Sequence, residues 1–316
     1  MNLQDVARLS EDDARAMLES IRWPEGPICP HCGSVDRIYP IKEGKARAGV
    51  YECGGCGDQF TVTVGTVMHK SKIPLSKWIM AFYLICSSKK GISARQLQRD
   101  LGLGSYRTAW HMAHRIRLAM KEEPMAGLLS GHVEVDETYV GGKPRKGGPK
   151  GGSGAVKSKK GRGTKKAPVM VLVERDGRAR SKPIDRVDAK TLKTAIRENV
   201  DHDSMILTDE WKAYSGIGKD FRWGHFTVNH GQGEYARGGA HTNTAESYFA
   251  LLKRGVVGSF HHVSKQHLHR YCDEFSFRWN VRKINDFEAA RLAIKGAEGK
   301  RLLYKSPSGS FNHDSV

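Results

Sequence analysis

Three carboxylates and four cysteines are the residues of this chain whose types and spacing could do chemistry. Asp136 lies within Val133-Glu134-Val135-Asp136-Glu137-Thr138, Asp209 closes Met205-Ile206-Leu207-Thr208, and Glu246 precedes Lys253 by seven residues. Seven residues are two helical turns, so Glu246 and Lys253 project from one face, beside an apolar face of Ala245, Phe249 and Leu252. An acid in mid-strand is costly unless it is paired or binds metal. Three carboxylates drawn together would repel until one kept its proton near neutrality, or until cations came between them. Two divalent ions with oxygen ligands, magnesium or manganese, answer that requirement. Ions about 4 Å apart activate an attacking oxygen and stabilise a leaving one in phosphoryl displacement. Each acid also has a plainer use. Asp209 can cap the helix after it, and Glu246 can close a capping box with Asn243.

The cysteines read more directly. Cys29, Cys32, Cys53 and Cys56 form a C-x2-C-x20-C-x2-C pattern with glycines at both knuckles. Such spacing turns four thiolates onto one tetrahedral ion, a structural zinc site with no open position. His31, inside the first knuckle, reads as a spectator. Short strands at Arg37–Pro40, Val50–Glu52 and Gln59–Thr63 complete a zinc ribbon, whose small core leaves the metal much of the folding energy. Cys86 and Cys272 stand alone in apolar patterns, so the six cysteines are not a disulfide framework and fit a reducing cytoplasm.

The elements that must position these groups follow from periodicity. Ser10-Glu11-Asp12-Asp13 is a capping box before a short docking helix that Trp23-Pro24 ends. From Pro74 the pattern is helical, with a stripe of Trp78, Ala81, Phe82, Ile85 and Cys86. Ser93 and Ser105 then cap two helices around a glycine-bearing turn, which is helix-turn-helix spacing. The second helix is expected to set Tyr106, Arg107, Thr108, His111, His114, Arg115 and Arg117 around buried Ala109, Trp110, Ala113 and Ile116, with Tyr106 to His114 in a major groove. Alternation puts Val133, Val135 and Glu137 on one face of a strand, and Glu134, Asp136 and Thr138 on the other. Asp176-Gly177 marks a hairpin. A helix from Asp188 or Ala189, a strand at 205–208, a short helix with Trp211 and Tyr214, a strand at 226–229, the Glu246 helix and a last helix at 264–280 follow. Asn243 or Thr244 is the expected cap of the Glu246 helix, and Gly255 its expected end. This order is a ribonuclease H-like layout, a mixed α/β sheet with helices on its faces, in which the three acids converge. The expected division is an N-terminal helix (1–24), the ribbon (25–68), the helix-turn-helix region (69–125), the catalytic domain (126–290) and a tail (291–316).

Net charge is +18, from 52 Lys and Arg against 34 Asp and Glu. That excess predicts an anionic partner, with nucleic acid foremost. Residues 143–167 hold Lys159, Lys160, Arg162, Lys165, Lys166 and five further basic residues with no acid, and read as an arm that tracks phosphates. No apolar run reaches the length of a membrane span, and the first residues lack a leader pattern.

The chain resembles bacterial insertion-sequence transposases with a DDE-type catalytic domain, and within them the zinc-ribbon, ISXO2-like group. The matching residues are the ribbon cysteines, Val135-Asp136-Glu137-Thr138-Tyr139-Val140-Gly141-Gly142-Lys143, Thr208-Asp209 with Tyr214, and His241-Thr242-Asn243 through Glu246 to Lys253-Arg254-Gly255. His261-His262-Val263-Ser264 and Glu274 to Asn280 extend the likeness across nearly the whole chain. The resemblance implies Asp136, Asp209 and Glu246 as metal ligands and Lys253 as the basic residue that holds a terminal phosphate. It also implies that the ribbon and helix-turn-helix recognise terminal inverted repeats. Cleavage then leaves 3′-hydroxyls that are joined to target DNA, and at least two protomers bring the ends together. Arg254 joins the expected DNA contacts. Glu137 is expected to be structural, His241, His261 and His262 to bond locally, and Trp211, Trp223 and Trp279 to be core. Two other classes fit the same motifs: a non-catalytic ribbon and helix-turn-helix regulator, and a nuclease without strand transfer.

Overall fold

The computed structural model describes residues 1–42, 44, 47–121, 127–141, 166–228 and 241–304. Gly142, Lys143, Lys159, Lys160, Arg162, Lys165 and Asn229 lie outside them. No helix of the described residues is long and apolar enough to cross a membrane. The chain forms two compact units, one of residues 1–88, 92–120 and 284–316, the other of residues 89–91 and 121–283.

The first unit opens with α1 (Leu3–Ala7), capped by Asn2 and not anticipated from sequence. In α2 (Glu11–Arg22) Ser10 and Asp13 form the expected capping box. Its C-cap Trp23 stands edge-on to Tyr51 and Phe60 at 5.7 and 5.8 Å, which docks the helix on the ribbon. The ribbon is a three-stranded antiparallel sheet, β1 (Ile38–Pro40), β2 (Tyr51–Cys53) and β3 (Gln59–Phe60). Next come α3 (Leu75–Ser87), α4 (Ala94–Asp100) and α5 (Tyr106–Ala119). Ser93 accepts from the Gln96 N–H and Ser105 from the Thr108 N–H, as the spacing predicts. The last helix, α9 (Asp286–Lys295), packs on α3, α2 and α5. The sequence reading places its first residues in the catalytic domain and the rest in the tail; the chain instead returns from residue 284 to complete the first unit.

The second unit is built on a five-stranded mixed sheet in the order β6-β5-β4-β7-β8. Its strands are β4 (His132–Val140), β5 (Ala167–Glu174), β6 (Ala179–Pro183), β7 (Met205–Asp209) and β8 (His225–Val228). β4 and β5 run antiparallel, as do β5 and β6, whereas β4 with β7 and β7 with β8 run parallel. This is the ribonuclease H-like arrangement expected. β5 is buried on both faces and therefore reads as a continuous apolar run. Val169, Val171 and Val173 face a cluster with α7 (Asn243–Gly255) and α8 (Leu268–Asn280). Met170 and Leu172 join Val133 and Val135 against α6 (Ala189–Asn199). Asp176 takes φ 58° in the β5–β6 turn, as the hairpin signal requires. After β7 the expected short helix is a 3₁₀ turn, Lys212–Tyr214, and a second one, Ile217–Asp220, follows.

Candidate functional site

Asp136 is central on β4, and the parallel ladder fixes its neighbour. The pairs His132↔Met205, Val133↔Ile206 and Glu134↔Leu207, continued two residues further, set Asp209 level with Asp136. Residues level in adjacent strands share a face, with the strands about 4.8 Å apart. That face carries α7, whose first turn holds Glu246. The Asp136 carboxyl is pushed up to about 6 by burial, then by the charges of Asp209 and Glu246, while the Glu137 N–H and the Lys253 charge oppose the rise. The three acids and the lysine therefore share one electrostatic site. Asp209 accepts the Trp211 N–H at 3.2 Å but does not cap a helix: the 3₁₀ turn after it has Trp211 as N-cap and no side-chain cap bond.

Among the described residues, only the four cysteines place metal-binding atoms all within 4.8 Å of one another. Asp136, Asp209 and Glu246 do not form such a group. An all-oxygen donor set, one carboxyl of which is held against ionisation by burial and then by its charged neighbours, fits hard divalent cations. Lys253 is exposed, its Nζ 5.8 Å from the Phe249 ring centre.

The start of α7 departs from the expectation. Neither Asn243 nor Thr244 caps it; the N-cap is Thr242, which makes no side-chain cap bond. The cap comes from the sheet. Glu134 Oε2 accepts the Thr244 N–H at 2.8 Å and the Ala245 N–H at 3.0 Å. Its Oε1 accepts from Thr244 Oγ1 and Arg175 Nε, each at 2.9 Å. His241 Nδ1 stands 3.2 Å from the same oxygen, in pairing range but off the line of a hydrogen bond. The only sequence signal for this residue was its place in mid-strand on the face of Asp136. At the other end the α-helix stops at Gly255, as expected, but without the left-handed cap a terminal glycine usually makes. Its φ is −66°, and the chain continues into a π-helical turn, Val256–Phe260, that ends at His261 with φ 58°. Glycine is there because a Cβ would overlap the Phe275 ring and lie 3.0 Å from the Lys90 carbonyl. His261 Nδ1 pairs locally with the Val257 carbonyl at 3.0 Å.

Glu137 points to the opposite face, as alternation predicts, and accepts the Tyr214 hydroxyl. Trp211 and Trp279 pack partly buried against the two clusters, whereas Trp223, expected in the core, is 59% exposed beneath the Arg222 guanidinium.

In the ribbon, Cys29 Sγ lies 3.7 Å from Cys56 Sγ and Cys32 Sγ 3.6 Å from Cys53 Sγ. Sulfurs about 2.3 Å from a tetrahedral zinc are about 3.8 Å apart, so this geometry suits that ion. Gly33 and Gly57, at φ 74° and 78°, close the knuckles by donating to the Cys29 and Cys53 carbonyls. The Cys56 N–H draws the Cys53 thiol down to about 7, favouring the thiolate a metal needs.

The helix-turn-helix is present, but its second helix is more deeply buried than expected. Tyr106 and Arg107 are exposed at its start, and His111 is half-buried. His114, expected to face a groove, is 0% exposed and packs 4.1 Å from the Trp110 ring. Arg115 and Arg117 are buried too, Arg115 donating to the His69 carbonyl at 2.5 Å. With α3 and α9 packed on it, α5 offers only its first turn and a half. Lys166 and Arg254 are exposed on the second unit.

Known proteins share these blocks. A family described as the ISXO2-like transposase domain matches residues 128–280, and one described as a transposase zinc-ribbon domain matches residues 9–59. A protein in transposable element ISH50 of Halobacterium salinarum is 31% identical over 296 residues, 92% of this chain and 97% of that one. A transposase-like protein of Haemophilus influenzae is 26% identical over 115 residues, 36% of this chain and 91% of its own. Among solved structures, a pre-cleavage Mos1 transpososome is similar over 94% of this chain and 95% of that one, at 12% identity and a TM-score of 0.28.

Proposed function

The chain belongs to the ISXO2-like transposase family, and from that membership we propose that it cuts the ends of an insertion sequence and joins them to target DNA at Asp136, Asp209 and Glu246. The observation that carries the proposal is the β4–β7 register, which when continued two residues past Glu134↔Leu207 sets Asp209 level with Asp136, together with an Asp136 carboxyl raised by burial and then by the charges of Asp209 and Glu246. Asp136, Asp209 and Glu246 would hold divalent ions, which would supply Lewis-acid stabilisation to the attacking and departing oxygens. Lys253 faces the same charges and holds a phosphate of the cleaved strand. Tyr106, Arg107 and His111 of α5, with Lys166 and Arg254, meet the DNA backbone, and His114 has no part in it. Two protomers, one for each end, form the working assembly.

Incubation of the protein with end-bearing DNA and magnesium tests this. Asp136→Asn, Asp209→Asn and Glu246→Gln each abolish strand cleavage and keep DNA binding. Retained magnesium-dependent cutting in any of the three rejects the assignment. Joint products with a target plasmid separate strand transfer from simple nuclease action.

A further inference from the structure

Glu134 is a charged side chain with 0% exposure, two residues before Asp136 on the same face of β4. A buried carboxylate without partners is severely disfavoured, so its surroundings account for its presence. Thr244 N, Ala245 N, Thr244 Oγ1 and Arg175 Nε all donate to it within 3.0 Å. A carboxylate offers about four lone-pair sites, so Glu134 is filled by protein donors and has none left for a cation. Two of the donors are first-turn N–H groups of α7, where the helix dipole also favours a negative charge. Arg175 ties the arrangement further, its Nη2 donating to the His241 carbonyl at 3.0 Å, just before that helix.

We propose that Glu134 is a positioning residue that fixes the first turn of α7 to β4, and so sets the Glu246 carboxylate against Asp136. This rests on the reading of Asp136, Asp209 and Glu246 as the catalytic acids. The strut works because both of its ends are rigid. Glu134 and Asp136 are separated by one residue of a central strand, and Glu246 directly follows Ala245, whose N–H Glu134 holds. Without the carboxylate the helix end loses this cap, and Glu246 is free to move with it. Removing an outer partner that orients a metal ligand costs about 10–100-fold in metal affinity.

The test is manganese titration of the full-length protein, read by electron paramagnetic resonance, together with cleavage of end-bearing DNA across a manganese series. Glu134→Gln keeps the shape but turns an amide NH₂ toward N–H donors. We expect it to weaken manganese binding at least tenfold, at temperatures well below its melting point. Cleavage returns as manganese is raised, and DNA binding is unaffected. Thr244→Val, which removes one donor and keeps both backbone bonds, shifts the titration in the same direction by a few-fold and carries the test should Glu134→Gln fail to fold. A merely structural role lowers the melting temperature and leaves the titration where it was; that result in the folded variants overturns the strut. Wild-type protein that neither binds manganese nor cuts refutes the catalytic reading, and the strut with it. Wild-type protein that does both, beside variants with unshifted titrations, refutes the strut alone.

Discussion

The Tyr214 hydroxyl donates to the Glu137 carboxylate, joining the turn after Asp209 to the strand of Asp136. Tyr214 is fully buried, and burial, followed by Glu137, Asp209 and Asp136, raises its phenol well above the usual range, so it remains a donor. The bond lies on the sheet face opposite the one that carries Asp136. It braces the pair from behind, as the Glu134 contacts brace it in front.

Tyr214→Phe removes that donor and leaves the ring in place. Losing one donor to a half-buried, charged acceptor costs up to about 1–3 kcal/mol. Urea denaturation should show a loss in that range. Glu137→Gln should cost less, because the amide oxygen still accepts. Equal stability of Tyr214→Phe and wild type would show that the bond contributes nothing.

Zinc removal should unfold the ribbon and leave the second unit folded. Binding energies of structural zinc, about 10–16 kcal/mol in small fingers, exceed what the short strands β1 to β3 can supply alone. Trp23 reports the event, since its ring packs against Tyr51 and Phe60. Chelation or Cys53→Ser should shift tryptophan emission to longer wavelength and release one zinc per chain. Unchanged emission after complete loss of zinc would mean that the ribbon core stands without metal.

How far the sequence anticipated these features depends on whether their causes were local. Four cysteines within 28 residues declare a zinc site, because the knuckle geometry is encoded in adjacent residues. Ser93 and Ser105 cap their helices for the same reason. Glu134 could not be read as the cap of α7, because its partners lie 110 and 111 positions away. Periodicity assigned His114 a polar face, but α5 is packed on more than one side, so its polar residues are buried as well. Gly255 looked like a helix stop, and only the proximity of Phe275 and Lys90 shows that it is also a packing glycine.

The raised Asp136 carboxyl gives the magnesium-free protein a defined pH response. Its folded value is about 6, above the ordinary carboxylate range, so the native state holds a proton that the unfolded chain has released. The contribution to stability is present below about pH 4 and is lost as pH rises through about 6. Its ceiling is about 3 kcal/mol, at about 1.4 kcal/mol per pH unit. With no magnesium or manganese added, and without chelator so that the ribbon keeps its zinc, the melting temperature of wild type relative to Asp136→Asn should fall between pH 4 and pH 6.5 and level off above it. Magnesium should reverse the trend at the upper end. A difference that is flat with pH would show that neither burial nor the neighbouring acids raise the Asp136 carboxyl.

Two glycines shortly after Lys253 should behave in opposite ways when changed to alanine. Gly255 sits in ordinary helical backbone at φ −66°, so alanine meets no strain there. Its methyl would nevertheless collide with the Phe275 ring, whose neighbours Tyr271 and Cys272 are buried, and approach the Lys90 carbonyl. Overpacking of this kind costs about 1–3 kcal/mol and displaces the side chains that hold α7. At Gly258, in the π-helical turn, an added methyl would meet nothing within 4 Å, so Gly258→Ala gains helix propensity without a clash. Thermal denaturation of the two variants decides the matter: a large drop for Gly255→Ala beside a small rise or no change for Gly258→Ala is expected. Equal melting temperatures would show that α8 can yield to the added methyl and that close packing does not require glycine at position 255.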